Sequence, residues 1–126
     1  LRLAYGQVKG YQDQGRKIPA WTTMGDTFGH AAEHGNVSPF ALPESWLKNK
    51  DKIKPDTPFN FVSTADIIGG NSGSPVVNRA GEVVGLIFDG NLQSLVLDFV
   101  YSDTQARATS VHSSAIVESL RNVYGP

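Results

Sequence analysis

The sequence predicts a mainly β fold with flanking helices. Three observations carry that expectation. Phe59, Phe61 and Ser63 alternate with Asn60, Val62 and Thr64, which is the two-residue period of a strand. Val83 to Phe88 is an almost unbroken apolar run behind the turn residues Asn78-Arg79-Ala80-Gly81. Helical stretches with capping residues and proline or glycine stops stand on either side.

The elements follow in chain order. Leu1 to Tyr11 suits a strand, and Gln12 to Lys17, with Gly15, reads as a turn. The second half of Trp21 to His34 is helical: Asp26 or Thr27 caps it, Phe28, Ala31 and Ala32 form a small apolar face, and Gly35-Asn36 stops it. Pro43 opens a second helix, with Glu44 at the positive end of the dipole and Trp46 and Leu47 as anchors. Lys48 to Lys54 is its solvated charged end, and Pro55 and Pro58 break it. The strand from Phe59 leads into the glycine-rich loop Gly69 to Gly73, then the short strand Pro75-Val76-Val77. The run from Val83 to Phe88 reads as a strand buried on both faces, interrupted by Asp89-Gly90-Asn91. Leu95 to Tyr101 reads as another strand. Ser113 or Ser114 caps a final helix with Ile116, Val117, Leu120 and Val123 on one face, ending at Gly125-Pro126.

A chain of 126 residues makes one domain or a piece of a larger one. It divides into a strand and helical lead-in, residues 1–58, and the loop-bearing β part with its closing helix, residues 59–126. A net charge of −1 gives no electrostatic reason to expect nucleic acid or an anionic membrane as partner. No apolar run approaches the roughly 20 residues that span a bilayer. Cysteine is absent, which removes thiol catalysis and disulfides. Neither an initiator Met nor a signal peptide opens the chain, so a fragment is the expectation.

The loop Gly69-Gly70-Asn71-Ser72-Gly73-Ser74-Pro75 is the most specific feature. Attack on a peptide carbonyl needs an exposed hydroxyl and donors aimed at the oxyanion. A tight glycine-rich turn supplies both: Ser72 as nucleophile, and the N–H groups of Gly70 and Ser72 as donors. Losing one such donor costs about 2.7–4 kcal/mol of transition-state stabilisation. The bland alternative is a Gly/Ser turn without chemistry.

The motif resembles the Gly-Asp/Asn-Ser-Gly-Gly/Ser-Pro signature of chymotrypsin-like peptidases. Pro75 to Asn78 and Gly81 to Ile87 resemble the hairpin that follows the nucleophile there. Further stretches are similar to the dipeptidyl-peptidase 7 and 11 family of bacterial serine exopeptidases. They are Tyr5 to Tyr11, Thr22-Thr23-Met24, Phe61 to Ile67, Phe88 to Asn91, and Asp98-Phe99-Val100. The resemblance implies the C-terminal portion of a chymotrypsin-like double β-barrel plus a terminal helix. It implies release of dipeptides from free peptide N-termini, no cofactor, a periplasmic or cell-surface setting and a homodimeric parent. Residue by residue, it implies Ser72 as nucleophile, Gly70 as oxyanion donor and Asp89 as binder of the substrate ammonium. Gly90 sets the pocket for the second substrate residue, with Phe88 beside it. Glycine at 90 implies a preference for hydrophobic or uncharged side chains, where arginine selects acidic ones. A carboxylate at the end of a buried strand is also costly unless a cation comes to it. Both Asp89 and Gly90 retain a simpler reading as turn residues. Leu92 and His112 depart from the family's usual tryptophan and aspartate.

A serine nucleophile needs a base and an orienter. His30 and His34 lie too close ahead of Ser72 for a preceding barrel, and His112 follows it. The triad His and Asp are therefore expected in a missing N-terminal barrel of the same polypeptide. Two further functions stay open: a serine endopeptidase of HtrA or glutamyl type, and a non-catalytic peptide-binding barrel. His30-Ala31-Ala32-Glu33-His34 also matches the H-x-x-E-H zinc pattern. Because the helix ends directly after His34, with no third-ligand helix following, the segment reads as a polar helix end and no metal is expected.

Overall fold

The computed structural model of the protein describes residues 3–125. Among the described residues seven strands form: β1 (Tyr11–Asp13), β2 (Arg16–Ile18), β3 (Trp21–Thr23), β4 (Pro58–Ser63), β5 (Pro75–Val77), β6 (Val83–Gly90) and β7 (Ala108–His112). The first two make a separate hairpin around Gln14-Gly15, both at positive φ. The other five form one antiparallel sheet in the order β3-β4-β7-β6-β5. Three α-helices accompany it: α1 (Met24–Glu33), α2 (Glu44–Lys48) and α3 (Ser113–Ser119), the last continuing as a π-helical stretch, Leu120–Tyr124. Among the described residues, no helix is long and apolar enough to cross a membrane.

Local chemistry starts and stops these elements. Thr23 is the N-cap of α1: its hydroxyl accepts from the Asp26 N–H at 3.2 Å, and the Asp26 carboxylate accepts from the Thr23 N–H at 2.7 Å. This reciprocal box fixes the start of the helix three residues before the Asp26 cap, or four before the Thr27 cap, read from sequence. Met24, Phe28 and Ala31 then fall on one buried face. Met24 and Phe28 meet Ile53, Ala115 and Val123, with Leu42, Trp46, Phe59 and Val111 packed against them. The core therefore lies between the sheet and a cover of α1, α2 and α3. Glu118 ties the cover down, accepting from the Lys54 N–H at 2.9 Å and the Asn122 side chain at 2.8 Å. The Lys54 bond holds its carboxyl below the usual range.

Several expectations need correction. Within Leu1 to Tyr11, the described residues form no strand before Tyr11. Val8 makes a lone bridge to Ser63, so this segment runs beside β4 without becoming part of the ladder. Leu47 is exposed, and Trp46 alone anchors α2. The residues Leu92–Asp98, which overlap the expected strand Leu95 to Tyr101, are a 3-10 helix. The Ser94 N–H and hydroxyl both bond the Asn91 carbonyl and start that turn. β6 is not buried on both faces: Gly85 and Ile87 are buried, whereas Val83 and Phe88 are exposed. α3 is capped by His112 rather than Ser113 or Ser114, because His112 Nδ1 accepts from the Ser114 N–H at 3.1 Å. Its inward residues are Ala115, Glu118 and Val123, while Val117 and Leu120 face out. Arg2, Leu1 and Pro126 lie outside the described residues.

Candidate active site

The Ser72 loop owes its shape to two glycines and one asparagine. Gly70 and Gly73 sit at φ +96° and +85°, a region costly for any residue with a Cβ. Asn71 braces the turn, since its side-chain oxygen accepts from the Ile68 N–H at 2.9 Å and its carbonyl accepts from the Ser74 N–H at 3.0 Å. The loop is pinned to β6 by Gly73 N–H to Ile87 O at 2.8 Å and Ile87 N–H to Ser74 O at 3.1 Å.

Ser72 is exposed, and its hydroxyl donates to the Phe88 carbonyl at 3.0 Å. That carbonyl is available because Phe88 is a β-bulge: Ile87 pairs Ser110 and Asp89 pairs Thr109, leaving Phe88 unpaired between them. Bulges re-aim backbone in this way and recur beside active sites. The N–H groups of Asn71, Gly73 and Ser74 are bonded within the protein. Among the described residues, those of Gly70 and Ser72 have no such acceptor. This is the state required of donors kept for an oxyanion.

The bulge brings Phe88, Asp89 and Gly90 next to the Ser72 loop. Asp89 is exposed, so the desolvation argument made from sequence does not hold. Its carboxylate accepts from the Gly90 N–H at 2.8 Å, and no cation among the described residues pairs with it. Gly90 pairs Ala108 and is half-buried. A Cβ there would collide with the Ser94 hydroxyl. Phe88 contributes its carbonyl, and the residue is 46% exposed.

Three residues to which the sequence reading gave no role in the site support this corner. Asn91 exchanges bonds with Arg107, from Asn91 N–H to Arg107 O at 3.0 Å and from Arg107 N–H to Asn91 Oδ1 at 2.8 Å. The Arg107 side chain is 1% exposed and donates to the carbonyls of Lys9, Gly10, Asp103 and Ala106. Ser94 fills the space above Gly90. A single arginine between two alanines was the one available sequence signal, and it pointed to no particular role.

No histidine is brought to Ser72 by a hydrogen bond among the described residues. His112 packs on Phe61 and caps α3, and burial lowers its pKa below the ordinary 6.5. His30 and His34 sit at the end of α1 with Phe40.

Comparisons with known proteins find similarity to peptidases along the chain. The Peptidase S46 family model matches residues 1–126. Dipeptidyl-peptidase 7 of Porphyromonas endodontalis is 37% identical over 119 residues, covering 88% of this chain and 14% of that protein. The Asp/Glu-specific dipeptidyl-peptidase of Shewanella putrefaciens is 30% identical over 141 residues, covering 88% and 19%. The crystal structure of Porphyromonas endodontalis DPP11 in complex with the dipeptide Arg-Glu superposes with a TM-score of 0.83 at 27% identity, covering 97% of this chain and 18% of that one. The chain thus spans less than a fifth of the length of these relatives.

Proposed function

The chain belongs to the peptidase S46 family, and on that premise we propose that it is the nucleophile-bearing part of a serine dipeptidyl-peptidase. The observation that carries the proposal is the contact of the exposed Ser72 hydroxyl with the bulged Phe88 carbonyl. It sets the nucleophile one residue from Asp89 and two from Gly90. Ser72 attacks the scissile carbonyl, and the N–H groups of Gly70 and Ser72 receive the oxyanion. Asp89 holds the substrate ammonium. Being exposed, it gains its cation when substrate covers it, and it needs no pre-paid desolvation. The base and its orienter come from a further barrel of a chymotrypsin-like fold, since His112 is committed to a helix cap. A periplasmic or cell-surface location and a homodimeric parent belong to the same proposal.

At the second substrate residue the proposal is an uncharged side chain. The relatives include both a dipeptidyl-peptidase 7 and Asp/Glu-specific enzymes, so the preference follows from this chain's own residues. The atoms nearest Gly90 are the Ser94 hydroxyl and the Arg107 carbonyl. The Arg107 guanidinium is spent on four backbone carbonyls. Among the described residues, no cation therefore stands ready to receive a carboxylate.

The test uses the intact polypeptide that carries these residues. It should release dipeptides from peptides with a free N-terminus and fail on the same peptides acetylated. Ser72→Ala should reduce kcat by roughly 10⁴-fold or more. Retained turnover in Ser72→Ala would exclude the nucleophile. Equal turnover of acetylated peptides would instead favour an endopeptidase. An absence of both turnover and fluorophosphonate labelling in wild type would favour a peptide-binding barrel.

A further inference from the structure

Outside the Ser72 loop, three side chains with metal-ligating atoms meet at the end of α1. His30, Glu33 and His34 each place one ligand atom within 4.8 Å of the others, and all three are exposed. The spacing explains the meeting, because residues three and four apart share a helix face. Spacing alone would make only a polar helix end. Two further observations distinguish this one.

The first is a fixed tautomer. His34 Nδ1 lies 2.9 Å from the His30 carbonyl oxygen. A carbonyl only accepts, so Nδ1 carries the proton and Nε2 of the neutral ring keeps its lone pair. Histidine ligands are commonly held this way, with the second nitrogen donating to a carbonyl. The second is an aromatic wall. Phe40 packs against His34 with ring centroids 4.0 Å apart and edge-on against His30 at 5.3 Å. Sequence reasoning dismissed a metal because the helix ends after His34, leaving little scaffold. The helix does end there, and Phe40 supplies the scaffold from the following loop.

Two features of the surroundings favour a cation. The last carbonyls of α1 carry partial negative charge at this end. An open groove of about 520 Å³, lined by Asp26, Gly29, His30 and Glu33 among others, borders the cluster and leaves room for water.

We infer that His30, Glu33 and His34 form a surface site for one divalent transition cation of the zinc, nickel or copper type. Two imidazoles and a carboxylate suit these borderline ions and disfavour magnesium and calcium. Ligand atoms around a tetrahedral zinc lie roughly 3.4 Å apart. Closing the cluster to that spacing takes exposed side-chain rotations of about an ångström. Three protein ligands leave a position for water. The site shares no residue with the Ser72 loop, so it stands whether or not the peptidase proposal does.

The test is calorimetric titration of the intact, chelator-stripped protein with zinc chloride, and with magnesium chloride as the contrast. Wild type should bind zinc, and His30→Ala and His34→Ala should each remove or weaken one equivalent by roughly tenfold or more. Glu33→Gln should weaken it less, and His112→Asn should leave it unchanged. His30→Gln keeps the carbonyl that holds His34, so it tests the ligand if His34→Ala frays the helix end. Zinc should also raise the Tm of wild type more than that of the His30→Gln/His34→Gln double variant. Failure of wild type to bind zinc would overturn the inference. So would equal binding by wild type and the double variant.

Discussion

The Ser72 hydroxyl donates a 3.0 Å hydrogen bond to the carbonyl of Phe88, the one unpaired residue of a β-bulge in β6. In a regular ladder that carbonyl would bond across to β7. The bulge frees it, and it then holds the Ser72 side chain against the strand that carries Asp89 and Gly90. Two glycines at positive φ and the Asn71 brace keep the Ser72 loop in place from the other side. The corner around Ser72 is thus a property of backbone geometry more than of side-chain packing.

That origin predicts how the loop responds to Asn71→Ala. The Ile68 N–H loses its acceptor on an exposed loop, where water can replace it. Stability should fall by no more than about 1 kcal/mol. Turnover by the intact enzyme should fall more steeply, because the freed turn no longer fixes the Gly70 and Ser72 N–H groups. Thermal melts and kcat of the same sample check this. A loss of activity merely proportional to unfolding would contradict it.

The space above Gly90 yields the second prediction. A Cβ at this position collides with the Ser94 hydroxyl, which is itself bonded to the Asn91 carbonyl. Gly90→Arg alone should therefore depress turnover of every substrate. Combined with Ser94→Gly, it should restore turnover and favour acidic second residues, since the guanidinium would meet a carboxylate. The ratio of kcat/KM for acidic over apolar dipeptide substrates is the readout. An unchanged ratio in the double variant would remove Gly90 from the pocket.

Much of this architecture was legible in the sequence. The alternation from Phe59, the turn at Asn78 to Gly81 and the glycines around Ser72 each predicted the element that forms. The failures share a cause. Leu95 to Tyr101 and Val83 to Phe88 are apolar runs, and an apolar run says that side chains prefer apolar surroundings without saying which surface supplies them. Leu95 and Phe99 are exposed here, as are Val83 and Phe88. The bulge at Phe88 left no mark either, because no glycine or proline announces it. Asn91, Ser94 and Arg107 were missed because their roles depend on contacts between segments far apart in the chain, from Lys9 to Arg107.

Arg107 carries the third prediction. Its guanidinium ties Lys9 and Gly10 to the turn before β7, and its backbone clamps Asn91. Arg107→Met keeps the bulk and removes the donors, leaving carbonyls without partners at a cost of about 1–3 kcal/mol for each one buried. The melting temperature should drop by several degrees. The segment before β1 should become the first site of limited proteolysis. Arg107→Lys should rescue little, because an ammonium cannot span carbonyls that a planar fork reaches. Full rescue by lysine would show that charge alone suffices.

The last prediction concerns pH and His112. Its Nδ1 accepts the Ser114 N–H that starts α3, so the lone pair there is in use and the neutral ring is the capping form. Burial holds its pKa below the ordinary 6.5. The folded state therefore binds this proton less readily than the unfolded chain does. Its contribution to stability is complete above 6.5, falls as pH drops below that value, and levels off under the folded pKa. Glu118, whose carboxyl is held below its ordinary 4.5, loses its contribution in a lower window. His112→Asn retains a capping oxygen that does not titrate. Its urea midpoint should therefore change less than that of wild type between pH 7.5 and pH 5.5, while the loss below pH 4.5 persists in both proteins. Identical slopes in the upper window would show that the His112 cap does not titrate with folding.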